Sequence, residues 1–339
     1  MRVSAVGVKD ELARWMRVAT ALAPGGESTE PFDVDRATAD QRSRARSVGA
    51  RLVVVDDDEY PAQLRTVPAP PPFLFLRGEL RSEDALAVAV VGSRHATPYG
   101  IRVTERLAED LAARGVTVVS GFARGIDTAA HHGALRGGGR TVAVLGSGVD
   151  VIYPPENRRL VDRVMKAGVL VSQFPMGTPP LQHHFPIRNR SIAGMSLGTV
   201  VVEAAERSGA LITAGHAGEL GREVFAVPGD INSAESRGTH RLIQDGAKLV
   251  QGWADVIAEL PEVWRRCLKE PERGVGVSLP EGEEGRLLAL LGGEPVQLDR
   301  LIEQSGLASG RVAALLVTLE LRGWVRQFPG QMYVRTEPR

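Results

Sequence analysis

Between Val118 and Leu135 the chain reads VVSGFARGIDTAAHHGAL. A short apolar run, a glycine-flanked turn and a helical stretch set Arg124, Asp127 and the pair His131–His132 beside main-chain N–H groups. This is equipment for an anion, because a helix start offers unsatisfied N–H groups and partial positive charge, and a guanidinium grips phosphate through two donors. Gly121 and Gly125 would let the backbone approach a phosphate, Arg124 would neutralise it, and Asp127 would fix the helix start. Neighbouring histidines diverge on a helix, so neither His131–His132 nor His183–His184 reads as a metal site, and neither a metal nor a cofactor is expected. The four lysines sit in KD, KA, KL and KE, which leaves no Walker A motif, and GSGVD and SGFARG do not make a dinucleotide fingerprint. Glu203 closes an apolar run beside the same rim, and a catalytic role for it stays open.

The elements that must carry these residues follow a rhythm that begins at Ala85. Apolar runs LAVAVVG, VTVVS, TVAVLG, VLVS, GTVVVE and EVFAVP alternate with helical stretches, the pattern of a parallel sheet covered on both faces. We therefore expect an α/β fold, with an extended Rossmann-like domain over residues 51–265. RLVVV and PFLFLRG, which precede the alternation, read as an edge added to the sheet. In such a fold ligands lie beyond the carboxyl ends of the strands. The turns found there are GSRHATPYG, SGFARGID, GSGVDVIYP, SQFPMGTPPLQHHFPIRNR, EAAERSGALITA and PGD. Arg94, Arg124, Arg188 and Arg190 should project on one rim. Residues 163–202 contain no Asp or Glu but hold Arg163, Lys166, Arg188, Arg190 and Phe185. Local positive potential beside an aromatic ring suits single-stranded nucleic acid, with phosphates on arginines and bases on the ring.

The chain has 339 residues with 41 basic and 41 acidic side chains, so a polyanion site must be local rather than global. Arginine outnumbers lysine 37 to 4. No window is apolar enough for a membrane span, the first residues lack a signal-peptide pattern, and the single Cys267 excludes an internal disulfide; a cytoplasmic protein is expected. Residues 1–50 are poorly defined, with a possible helix in ELARWMRVATAL followed by a polar stretch. Residues 266–284 read as a linker. Residues 285–339 give three short helices and two strand-like pieces around Pro-Gly, a winged-helix pattern whose third helix carries Arg311 but is otherwise mostly apolar.

The runs VAVVGSRHATPYG, VVSGFARGIDTAAHHGAL, TVAVLGSGVDVIYPPEN, FPIRNRSIAG and VVEAAERSGALITAGHAGELGREVFAVPGD, in this order, closely resemble the DNA-processing protein A family, also called DprA or Smf. The resemblance covers about residues 60–260, and a C-terminal winged helix fits it too. It implies a protein without catalytic activity that binds single-stranded DNA during natural transformation, protects it and loads the RecA recombinase. It implies a DNA pocket of Arg94, Arg124, Phe185, Arg188 and Asn189 or Arg190, with Ser120, Gly121 and Gly125 of the second turn. Gln182 and Ile187 stand where some members supply a lysine. The N-terminal helical SAM-like module of the family is matched poorly by residues 1–50. Two other classes remain: a nucleotide-processing enzyme similar to the nucleoside-monophosphate phosphoribohydrolases, with Glu203 or Glu219 as acid, and a winged-helix transcription regulator.

A homodimer is expected as well. The run AKLV at 247–250 would leave an open sheet edge, and Leu242 and Ile243 point about 100° apart on a helix, so only one can face the sheet squarely. The resemblance places a two-fold and RecA-contacting surface at His240, Ile243 and Leu249.

Overall fold

The apolar runs do form the sheet, and their period-two alternation divides them between two buried faces. In β3 (Ala87–Val91), Val88 and Val90 pack on one side with Leu107, Leu111 and Ala130, while Ala87, Ala89 and Val91 pack on the other with Ile192, Ala210 and Ala214. The computed structural model describes residues 34–270, 280–292, 295–328 and 330–336. The expected helix in ELARWMRVATAL lies outside the described residues. Two compact units divide at residue 270.

In the first unit β3 is followed by α3 (Pro98–Ala113), β4 (Thr117–Ser120), α4 (Ile126–Arg136), β5 (Thr141–Val144), α5 (Arg158–Ala167) and β6 (Gly168–Ser172). The chain then returns through α6 (His184–Gly194), β7 (Gly198–Val201), α7 (Gly209–Glu219), β8 (Glu223–Ala226), α8 (Arg237–Gln244), β9 (Lys248–Leu249), α9 (Trp253–Glu259) and α10 (Glu262–Arg265). Strands β6-β5-β4-β3-β7-β8-β9 lie in that order and all run parallel. The order reverses between β3 and β7, which opens a crevice at their carboxyl ends, where ligands of doubly wound sheets bind. The antiparallel strands β1 (Ala50–Val54) and β2 (Phe73–Gly78) extend the sheet beyond β6, as the sequence suggested. A short helix, α2 (Ala62–Arg65), links them.

The polar stretch before residue 50 holds a helix, α1 (Val34–Ser47), whose Ala45 packs with Phe73 and Phe75 and whose Gln41 side chain accepts the Met176 N–H at 2.7 Å. Six of its fourteen residues are charged, which leaves little apolar periodicity to read.

The second unit contains α11 (Gly282–Ala289), β10 (Val296–Gln297), α12 (Leu298–Ser305), α13 (Ser309–Leu321), β11 (Val325–Phe328) and β12 (Met332–Arg335). Its strands pair antiparallel in the order β10-β12-β11, and Leu287, Leu301, Leu316, Leu319 and Trp324 form its core. The helices and wing match a winged helix. Arg311 and Arg322, at either end of α13, are tied to Glu283 and Glu284 of α11.

Candidate nucleic-acid interface

The turns beyond β3, β4 and β5 and the start of α6 converge on Phe185. Its ring is half-buried, with the Arg94 guanidinium 4.7 Å from the ring centre and the Tyr153 ring 6.2 Å away. Arg124 sits 5.9 Å from the centre of Tyr153. Two exposed cations thus flank two partly exposed rings, so phosphates and bases can be held side by side. Tyr153 was not singled out from the sequence; its place at the end of GSGVDVIYP, one of the strand-end turns, was the available signal.

Arg124 is held by an acid from beyond β5. Its Nε and Nη2 donate to Glu156 Oε1 at 3.2 and 2.7 Å, and both side chains are about half exposed or more. An exposed pair of this kind is weak in water and readily exchanged for a phosphate.

Asp127 works inward. It is 6% exposed, its carboxylate accepts the Ala123 N–H at 3.2 Å, and burial pushes its pKa up against the pull of the Arg188 cation. Arg188 is itself buried at 3% exposure rather than spread on the rim. Its Nη1 donates to the carbonyls of Gly121 and Val144, its Nε donates to Asn189 Oδ1 at 3.1 Å, and burial draws its pKa down to about 10. Arg188 therefore clamps the ends of β4 and β5 together, and its small accessible remainder opens on the recesses either side of Phe185.

The glycines of the second turn also face protein rather than ligand. A Cβ on Gly121 would stand 2.6 Å from Asp127 Oδ2 and 2.8 Å from the Arg188 guanidinium. Gly125 has φ +73°, and a Cβ there would stand 2.3 Å from the Ser93 carbonyl oxygen. Both positions require glycine for close packing, Gly121 under Asp127 and Arg188 and Gly125 against the turn of Ser93 and Arg94. Ser120 is fully buried and donates to the Val90 carbonyl at 2.7 Å.

Asn189 joins the main recess, where its amide donates to the Gly209 carbonyl at 3.2 Å. Arg190 does not. Two residues beyond Arg188 it points about 200° away around α6, donates to the Pro68 carbonyl at 2.8 Å and lines a separate, more apolar recess with Pro70, Ile187 and His216. Gln182 borders the main recess and Ile187 the separate one.

The main recess has a volume of about 450 Å³ and lies in the crevice between β3 and β7. Glu203, once open as a catalytic group, is buried at 2% exposure and accepts both the N–H and the hydroxyl of Thr97, anchoring the start of α3. Glu219 sits at the far end of α7 with His216 and Arg190. Among the described residues no cluster of His, Cys, Asp and Glu could hold a metal, and no helix is long and apolar enough to cross a membrane.

The surface expected to join two copies is placed as follows. His240 Nε2 lies 3.1 Å from the Gly229 carbonyl, Leu242 packs against the core, Ile243 is half-buried and Leu249 is 40% exposed on the edge strand. Lys248 beside it pairs with Glu259 at 2.8 Å.

With this geometry in hand, comparison with known proteins is informative. The family model for DNA recombination-mediator protein A matches residues 51–261, and that for the DprA winged helix domain matches residues 277–331. Protein Smf of Escherichia coli is 43% identical over 84% of this chain and 77% of its own length. The solved DNA processing protein A of Streptococcus pneumoniae is 42% identical, with a TM-score of 0.61 over 68% of this chain and 79% of that one. The Helicobacter pylori protein, solved to describe its single-stranded DNA binding mode, is 28% identical, with a TM-score of 0.55 over 61% of this chain and 94% of that one. A match of this extent, through the strands and turns that build the Phe185 rim, means that the chain belongs to the DNA recombination-mediator protein A family.

Proposed function

We propose that this protein binds single-stranded DNA along the carboxyl ends of its parallel strands, protects it during transformation or recombination, and hands it to the RecA recombinase. The observation that carries the reading is Phe185, a partly exposed ring held between Arg94 and Tyr153. Duplex DNA keeps its bases stacked on one another, whereas a single strand can lay them on such a ring. The solved relative described for single-stranded DNA binding supports the same direction. The chemistry is binding rather than turnover: Glu203 is spent on Thr97, and the cations of the rim address phosphate without a paired base and nucleophile. The winged-helix unit fits a protein-contacting role better than groove reading, since its third helix, α13, carries Arg311 but is otherwise mostly apolar.

The test is direct. Phe185→Ala should weaken single-strand binding by about 1–3 kcal/mol while leaving the weaker duplex binding unchanged. Equal losses on both substrates would remove stacking from the account.

We also propose that His240, Ile243 and Leu249 join two copies and lie within the RecA-contacting surface. Two linked rims would raise affinity through avidity. Ile243→Glu with Leu249→Glu should sediment as a folded monomer with weaker DNA binding, and a variant that stays dimeric would place the interface elsewhere.

A further inference from the structure

The recess between β3 and β7 holds an unexplained acid. Glu235 lines it, and neither oxygen of its carboxylate takes a hydrogen bond from any described residue; Oε2 is shielded from water as well. Its main chain is fixed, because the Glu235 carbonyl accepts the Ala204 N–H at 2.7 Å. The shielded Oε2 leaves acceptor capacity unused until a donor arrives, while Oε1 stays open to water. A phosphate cannot be that donor, since the carboxylate repels it.

The rest of the recess indicates what the donor belongs to. Exposed Arg207 makes no ion pair among the described residues, and Ser208 caps the adjoining start of α7 by accepting the Ala210 N–H at 3.3 Å. Together they offer a phosphate a cation and a helix start at the mouth. Buried Ile192 and the 43% exposed Ile212 add apolar surface to the lining. About 450 Å³ lies within the range of small-ligand pockets and accommodates one nucleotide unit.

We propose that this recess reads one base of the bound strand and prefers guanine through Glu235, an inference that rests on the single-strand reading above. Guanine presents two neighbouring donors, N1–H and the N2 amino group, which match the two oxygens of a carboxylate after rotation about its soft terminal torsion. Adenine and cytosine each offer an amino group next to a ring nitrogen acceptor. Thymine offers one N–H between two carbonyl oxygens that repel the acid. Guanine is thus preferred, thymine is the poorest fit, and the strand slides until a guanine occupies the recess.

The experiment is equilibrium binding of the full chain to three twelve-nucleotide probes: all thymine, thymine with one central guanine, and thymine with one central inosine, which lacks the N2 amino group. The guanine probe should bind roughly tenfold tighter than all-thymine, with inosine between them, the span expected of a bidentate contact and its half. In Glu235→Gln, whose fold is checked by circular dichroism, the three affinities should converge near the wild-type value for all-thymine. Equal wild-type affinities for the three probes overturn the guanine preference and leave the single-strand reading standing, and a preference that survives in Glu235→Gln removes Glu235 from it. If the wild type binds none of the probes, the underlying single-strand reading fails instead.

Discussion

The two faces of α6 meet two recesses built from different chemistry. On one side Phe185, Arg188 and Asn189 face a crevice with Arg94, Arg207 and Glu235. On the other, Ile187 and Arg190 face a wall of Pro70, Pro71 and Pro72 with Leu64 and Val67. Each face of α6 carries an arginine, but neither is a free phosphate ligand: Arg188 braces two strand ends, and Arg190 is held by the Pro68 carbonyl. What separates the two sides is the exposed pairing of cations with aromatic rings, present around Phe185 and, among the described residues, not found beside Ile187. A count of arginines along the sequence is therefore a poor guide to a phosphate site; position around the helix decides.

The largest expected effect separates the two arginines of α6. Arg188→Ala should destabilise the first unit by about 3–5 kcal/mol, because it leaves the buried carboxyl of Asp127 with only the weaker pull of Arg94 and frees the Gly121 and Val144 carbonyls. Arg190→Ala, with a partly exposed head, should cost under about 1 kcal/mol. Denaturant midpoints measure both, and similar midpoints for the two variants would mean that Arg188 is no clamp.

A smaller effect belongs to pH. His131 is fully buried against Thr141, whose hydroxyl proton goes to the Val118 carbonyl, so the ring donates from Nδ1 and burial lowers its pKa to about 3. Below pH 6.5 the unfolded chain takes up a proton that the folded chain refuses, so this contribution is intact above about pH 7 and is lost as pH falls toward 3. At pH 5 the loss is about 2 kcal/mol, from 1.5 pH units below the unfolded value. Asp127, with a raised pKa, works in the opposite sense, so the comparison of wild type with His131→Gln isolates the histidine. Parallel pH–stability curves for the two proteins would count against a buried neutral ring.

How far the sequence foretold this follows from what each residue touches. Strands β3 to β8 were legible because both faces of the sheet are buried, which makes their runs almost continuously apolar. The strand-end turns were legible as a rim, and Arg94, Arg124 and Phe185 do meet there. The roles of Arg188, Gly121 and Gly125 were not, because partners distant in the sequence meet them only in the fold: Val144 for Arg188, Arg188 for Gly121 and Ser93 for Gly125. Glu156, which holds Arg124, and Glu235, which lines the crevice, lie 32 and 111 residues from Arg124 and are joined to the site only by the fold of the sheet. Helix α1 stayed hidden because Gln41 and Ala45, two residues that it buries, are polar and small and carry little apolar signal.

The central claim is that a single strand's phosphates lie on the Phe185 side of α6. It is tested most directly by the slope of log binding constant against log salt concentration, measured for wild type, Arg94→Ala, Arg124→Ala and Arg190→Ala on one single-stranded oligonucleotide. Each phosphate contact contributes a slope of about −0.7. The account predicts that Arg94→Ala and Arg124→Ala each flatten the slope by about that amount while Arg190→Ala leaves it unchanged. A wild-type slope in the first two, or a flattened slope in Arg190→Ala alone, would contradict it and move the strand to the other face.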